Sequence, residues 1–137
     1  MSFFKTSEYA IRALVFLAGH DQRRYSVREL HQELNIPYKY LSRLMHKLTE
    51  AGFVEVAQGK RGGYVIVGQK AEIFLYQIVD AVEGLENYDR CILGFKECSD
   101  ENPCSMHQYW VEERERIKKL LYSVSLEDLA SNPNIRY

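Results

Sequence analysis

Apolar residues recur at helical spacing in the opening stretch, where Ile11, Leu14, Val15 and Ala18 share one face of residues 8–18. Ser7 stands where a helix cap belongs, and Gly19 marks the stop. A second helix is predicted from Ser26-Val27-Arg28-Glu29, the spacing of a capping box, to about Leu34. Asn35-Ile36-Pro37 reads as a turn, with Pro37 in the first turn of a third helix running from Tyr38 to Ala51. That helix buries Leu41, Leu44, Met45 and Leu48, and Gly52 ends it.

The period then shortens. Residues 53–56 and 64–67 alternate apolar and polar around Gln58-Gly59-Lys60-Arg61-Gly62-Gly63, which predicts a β-hairpin with a flexible basic tip. Three short helices followed by such a hairpin is the order of a winged helix-turn-helix, with the third helix entering the major groove. Beyond Gly68 helical spacing returns, first around Ile73, Tyr76, Ile78 and Val79 as far as Gly84. It resumes in a long helix from about Cys104 to Val124, striped by Trp110, Ile117, Leu121 and Val124. Ser125 caps a last helix from Leu126 to Ala130, and the tail beyond it is expected to fray.

The predicted fold is mainly α with a small β-hairpin. Residues 1–68 form the winged helix-turn-helix, and residues 69–137 carry dimerisation helices with a cysteine-rich loop at about 87–107. So long a helix on so small a chain needs a second copy to cover its stripe, which predicts a homodimer.

Composition adds a compartment and a partner. No apolar run reaches the ~18 residues of a spanning helix and no signal peptide is visible, so we expect a cytoplasmic protein with no membrane partner. Residues 1–68 carry 10 Lys+Arg against 6 Asp+Glu, whereas residues 69–137 carry 8 against 13. The front half therefore suits phosphate and the rear half repels it. In the third helix Tyr38, Lys39, Ser42 and Arg43 are candidates for groove contact: Arg43 suits a guanine edge and Lys39 a phosphate. Lys60 and Arg61 sit at a hairpin tip whose glycines fit it to a narrow minor groove. Arg28 and Tyr40 are further phosphate candidates.

The chain's only three cysteines, Cys91, Cys98 and Cys104, lie with His107 within seventeen residues. Thiolates beside an imidazole suit an iron–sulfur cluster, zinc or copper. In a polar loop of a cytoplasmic protein they are ligands or sensors rather than disulfides. Glu8 is a carboxylate in the first turn of the first helix. No Cys-X-X-Cys pair or Cys/His/Asn set with enzyme context is present, so an enzyme is not expected. A small iron–sulfur carrier would have no use for a recognition helix and basic wing.

These segments together resemble the winged-helix iron–sulfur regulators of the Rrf2 family, the group that includes IscR, NsrR and RirA. The likeness rests on Ser7-Glu8-Tyr9-Ala10-Ile11-Arg12-Ala13-Leu14, on Ile36 and Tyr40-Leu41, and on Leu48-Thr49-Glu50-Ala51-Gly52-Phe53-Val54. The wing Gly59-Lys60-Arg61-Gly62-Gly63-Tyr64 and the cysteine loop running into His107 and Trp110 complete it. The resemblance implies a transcriptional regulator, expected to be a repressor, that binds pseudo-palindromic double-stranded promoter DNA as a homodimer. It also implies that Cys91, Cys98 and Cys104 hold an iron–sulfur cluster. In the IscR type a histidine three residues after the last cysteine completes a 2Fe–2S cluster, which matches His107. In the NsrR type an acidic residue from the partner's first helix serves a 4Fe–4S cluster, and Glu8 occupies that position. A cluster-free thiol-redox regulator or a zinc-binding one is the alternative. The chain departs from the IscR type in having six residues, not five, between the first two cysteines. Ser42 and Pro37 replace that type's glutamate and serine, so its DNA sequence does not carry over.

Overall fold

The computed structural model describes residues 3–137 and comprises six α-helices and one two-stranded antiparallel sheet. α1 spans Lys5–Gly19, α2 Val27–Leu34 and α3 Tyr38–Glu50; β1 covers Val54–Ala57 and β2 Gly63–Ile66. α4 (Leu75–Val82), α5 (His107–Ser123) and α6 (Leu126–Ala130) follow. This is the winged arrangement expected from the pattern.

α1 opens one turn earlier than its caps suggest. Phe4 is its N-cap, and Ser7 lies inside the helix, fully buried, with no hydrogen-bond partner for its hydroxyl among the described residues. The Ser26 box forms as expected: its hydroxyl accepts from the Glu29 amide, and the Glu29 carboxylate accepts from the Ser26 amide, both at 3.1 Å. α3 starts at Tyr38 as expected, with Pro37 as its N-cap, and Ala51 caps the other end. Leu41, Leu44, Met45 and Leu48 are buried. They pack with Leu14, Leu17, Leu30 and Leu34 in one core that continues across residue 68 to Ile73, Ile78, Val82 and Leu126.

The strands pair Val54 with Ile66 through to Ala57 with Gly63, shifted one residue from the sequence reading. Tyr25 adds a third rung, its amide donating to the Tyr64 carbonyl at 3.0 Å and its carbonyl accepting from the Tyr64 amide at 2.7 Å. Gly63 makes that approach possible: it holds φ +125°, and a Cβ there would meet the Tyr25 carbonyl at about 2.6 Å.

α4 begins at Leu75, after a single 3-10 turn at Lys70–Glu72; Leu75, Ile78, Val79 and Val82 are its buried positions, while Tyr76 is half-buried. Leu75 and Val79 pack against Tyr88 and Leu121, so α5 lies along α4. The two are tied at one end, where the Leu75 amide donates to Val124 and the Leu126 amide to Ile73, at 3.0 and 2.7 Å. The cysteine segment connects them at the other. α5 starts at His107, not Cys104, because a turn bends Cys104 back so that its sulfur faces Cys91.

The tail does not fray. Ile135 and Tyr137 pack on the main core, Tyr137 sets its ring edge-on to Phe16 at 5.3 Å, and Arg12 donates to the Tyr137 carbonyl at 3.2 Å.

Candidate metal centre and nucleic-acid interface

The three cysteine sulfurs lie within 4.8 Å of one another, each half-buried. Cys91 and Cys104 are 3.5 Å apart, and the Cys104 amide donates to the Cys98 sulfur at 3.4 Å. His107 joins them: its Nδ1 is 3.3 Å from the Cys98 sulfur and its Nε2 is 2.9 Å from the Asp100 carboxylate. Burial would raise the Cys91 thiol. Amides of Phe95 and Leu93 and the thiols of Cys104 and Cys98 outweigh it and bring Cys91 down to about 7. Burial, followed by the Cys98 and Cys91 thiols, pushes Cys104 up. Three soft donors on one spot with an imidazole at their edge fit a sulfur-bound metal in number and in chemistry. Glu8, on α1, instead pairs with Lys5 at 3.2 Å.

The residues before Cys91 are fixed to α5. The Trp110 indole donates to the Arg90 carbonyl at 3.3 Å, and Arg114 donates to the Asp89 carbonyl at 3.1 Å. Lys118 reaches the Asp89 carboxylate at 2.8 Å. These three stand at i, i+4 and i+8, one edge of the helix. The sequence reading gave Trp110 a packing role and passed over Arg114 and Lys118, which look like ordinary surface charge until their partners are in place. Tyr109, beside Trp110, is 64% exposed.

Tyr38, Lys39, Tyr40, Ser42 and Arg43 all reach the surface of α3, as Arg28 does on α2 and Lys60 and Arg61 at the hairpin tip. Two tyrosines have additional partners. The Tyr40 hydroxyl lies 2.6 Å from Thr6 Oγ1 and its ring meets Tyr9 edge-on, tying α3 to the start of α1. The Tyr38 ring meets His31 edge-on, and His31 Nδ1 is 2.6 Å from the Ile36 carbonyl inside the helix-turn-helix turn. Lys47, absent from the sequence-derived set, donates from α3 to the Val82 carbonyl at the end of α4, at 3.0 Å.

Two arginines in the loop before α2 were also missed. Arg24 donates to the Gly63 carbonyl at 3.2 Å and to the Glu55 carboxylate at 2.7 Å, fixing the base of the hairpin. Arg23 lies 3.8 Å over the Tyr25 ring and pairs with Glu29 at 2.8 Å. With Lys60 and Arg61 they line one cleft beside the wing. The adjacent Arg-Arg was the available signal, in a loop where periodicity carries no information.

Comparison with known proteins gives this architecture a context. The family model described as Rrf2, iron-dependent transcriptional regulator, matches residues 3–132. An HTH-type transcriptional regulator of Aquifex aeolicus is 30% identical over 131 residues, covering 94% of this chain and 91% of that protein. The HTH-type transcriptional regulator IscR of Xenorhabdus nematophila is 29% identical over 136 residues, covering 98% and 82%. Among solved structures, CymR, the global cysteine regulator of B. subtilis, superposes with a TM-score of 0.77 at 28% identity, covering 96% and 97% of the two chains. These relatives are transcriptional regulators, not enzymes.

Proposed function

This chain belongs to the Rrf2 family of transcriptional regulators, and we propose that it is a homodimeric repressor whose affinity for pseudo-palindromic double-stranded promoter DNA is set by an iron–sulfur cluster. The observation that carries the reading is the meeting of three thiols on the connection between α4 and α5. Cys91, Cys98 and Cys104 hold the cluster and His107 completes a 2Fe–2S set; a 4Fe–4S cluster with Glu8 of a second copy is the alternative. When bound, the cluster would supply redox-active iron and cross-link the loop through the residues that hold it.

The chain's own residues carry the signal. Trp110, Arg114 and Lys118 hold the entry to the loop on α5, so a change in the loop is felt as a shift of α5 against α4. Lys47 links the end of α4 to α3. On DNA, Arg43 and Ser42 read base edges with Tyr38 beside them, while Lys39, Arg28 and Tyr40 meet phosphates. Lys60 and Arg61 enter the flanking minor groove. The two recognition helices of a dimer must match half-sites about 34 Å apart, so a small shift between protomers changes affinity.

The test is anaerobic purification followed by an absorption spectrum, iron and sulfide analysis, and promoter binding across a salt series in both cluster states. We expect sulfide-containing visible absorbance and specific, salt-dependent binding that differs between the states. No affinity above random DNA in either state removes the reading. A second reading, a cluster-free thiol sensor, is supported by the 3.5 Å separation of Cys91 and Cys104 and by the likeness to CymR. It predicts no bound iron or sulfide, with DNA affinity following thiol oxidation. A zinc-binding regulator would contain zinc without sulfide.

A further inference from the structure

We infer that Asp100 is a positioning residue for the metal centre: it fixes the His107 ring so that Nδ1, not Nε2, is the nitrogen offered to the site. The inference rests on the cluster reading above. His107 is half-buried, with its side chain 11% exposed, and its two nitrogens face different groups. Nε2 lies 2.9 Å from a carboxylate oxygen of Asp100, an acceptor with no proton to give. In the neutral ring the hydrogen therefore sits on Nε2, and the lone pair is left on Nδ1. That nitrogen is the one 3.3 Å from the Cys98 sulfur. Ring orientation and tautomer thus agree, and both point the free pair toward the thiols.

Asp100 is held where it can do this. It stands in a tight turn in which the Asn102 amide donates to the Ser99 carbonyl at 3.1 Å and to the Ser99 hydroxyl at 3.3 Å, and the Ser99 amide to the Asn102 carbonyl at 3.4 Å. The turn lies between Cys98 and Cys104, so their two sulfurs and the orienting carboxylate belong to one hydrogen-bonded piece of chain. Hydrogen bonds of this kind to a ligating histidine are worth ten- to a hundred-fold in metal affinity. Asp100 is 92% exposed and water competes with it, which places the expected effect at the lower end.

The experiment compares wild type, Asp100→Ala, Asp100→Asn and His107→Ala after anaerobic reconstitution with iron and sulfide. One readout is the rate of iron loss to a chelator; the other is the nitrogen hyperfine coupling of the reduced, ¹⁵N-histidine-labelled protein. We expect wild type to show one coupled histidine nitrogen. Asp100→Asn keeps an oxygen acceptor and should match wild type within about two-fold in iron loss. Asp100→Ala should lose iron about ten-fold faster and shift or lose the coupling, as His107→Ala does. Wild-type rate and coupling in Asp100→Ala overturn the inference while leaving the cluster intact. A wild-type protein that takes up no iron and sulfide, or holds them with no histidine coupling, instead overturns the ligand assignment, and the role of Asp100 falls with it.

Discussion

Cys98 meets both the His107 ring and the Cys104 amide. It also stands in mid-loop, whereas Cys91 follows a segment pinned to α5. Cys98→Ala should therefore abolish the visible absorbance of the reconstituted protein and leave its helix content unchanged by circular dichroism; full colour and iron would remove Cys98 from the ligand set. At this scale residue type was legible and orientation was not. Three cysteines and a histidine in one polar loop announce metal chemistry by composition alone. The ring nitrogen facing the sulfurs depends on Asp100, seven residues away in a turn that the sequence marks only as polar. Ser7 is the opposite case: a serine before an apolar run reads as a cap, yet tertiary packing extended the helix past it and buried its hydroxyl.

Elements fixed by local bonds were the most readable. Of the three serine caps expected, those at Ser26 and Ser125 form, because a capping box is satisfied by residues three apart and needs no tertiary partner. They also carry a pH signature. Arg23 and then the Ser26 amide hold the Glu29 carboxyl below its ordinary 4.5, and the Ser125 amide and hydroxyl hold Asp128 below 3.8. A depressed carboxyl contributes stability above its ordinary value and loses it as pH falls through the lower folded one. The urea midpoint should accordingly fall below about pH 4.5; Ser26→Ala should cost about 1 kcal/mol at pH 7, and Glu29→Gln, which removes the titrating group, should flatten the acid decline. An acid decline of undiminished steepness in that variant would remove the cap as its source. The hairpin was legible from its glycines, but the clasp of Arg24 and Tyr25 at its base joins residues nearly forty apart. Arg61, at the free tip, should behave as a phosphate-proximal charge. Arg61→Ala should weaken DNA binding and reduce the salt slope by about 0.9, with iron content unchanged. An unaltered slope would take the wing out of the interface. The start of α5 and the packed tail were misread because both depend on distant partners, the thiols in one case and Phe16 with Arg12 in the other.

At the scale of the whole molecule, one core joins the winged domain to α4 and α6, and α5 is the element left partly uncovered. Its inner edge meets α4 through Leu121 and the entry to the cysteine loop through Trp110 and Arg114. Its outer edge presents Tyr109 and Leu120, 64% and 53% exposed and eleven residues apart, three turns along one face. A second copy is the occupant that the repressor reading requires. Leu120→Glu should shift sedimentation from dimer toward monomer and reduce promoter affinity more than ten-fold; a dimer of unchanged stability would place the interface elsewhere. The sequence reading assigned the α5 stripe of Trp110, Ile117, Leu121 and Val124 to a second copy, but Ile117, Leu121 and Val124 pack within this chain and Trp110 donates to Arg90. The helix's own chain covers one edge, and that division could not be read from periodicity, since Arg114 and Lys118 look no different from the charges around them.

The clasp of Trp110, Arg114 and Lys118 on residues 89–90 also sets where the chain can be cut. With the entry pinned and α5 beginning at His107, the stretch from Ile92 to Glu97 is tied back to Cys91 alone, by the Gly94 amide on its carbonyl at 3.0 Å and the Leu93 and Phe95 amides on its sulfur, and Lys96 lies exposed beyond these bonds. Protease susceptibility should then report occupancy. Trypsin should nick the cluster-free protein first at Lys96, and cluster loading should slow that cleavage without protecting the wing at Lys60 and Arg61. Equal rates at Lys96 in both states would mean that the loop is already held by protein contacts alone. The segment that binds the signal would thus double as a fuse, open to degradation only when the signal is gone.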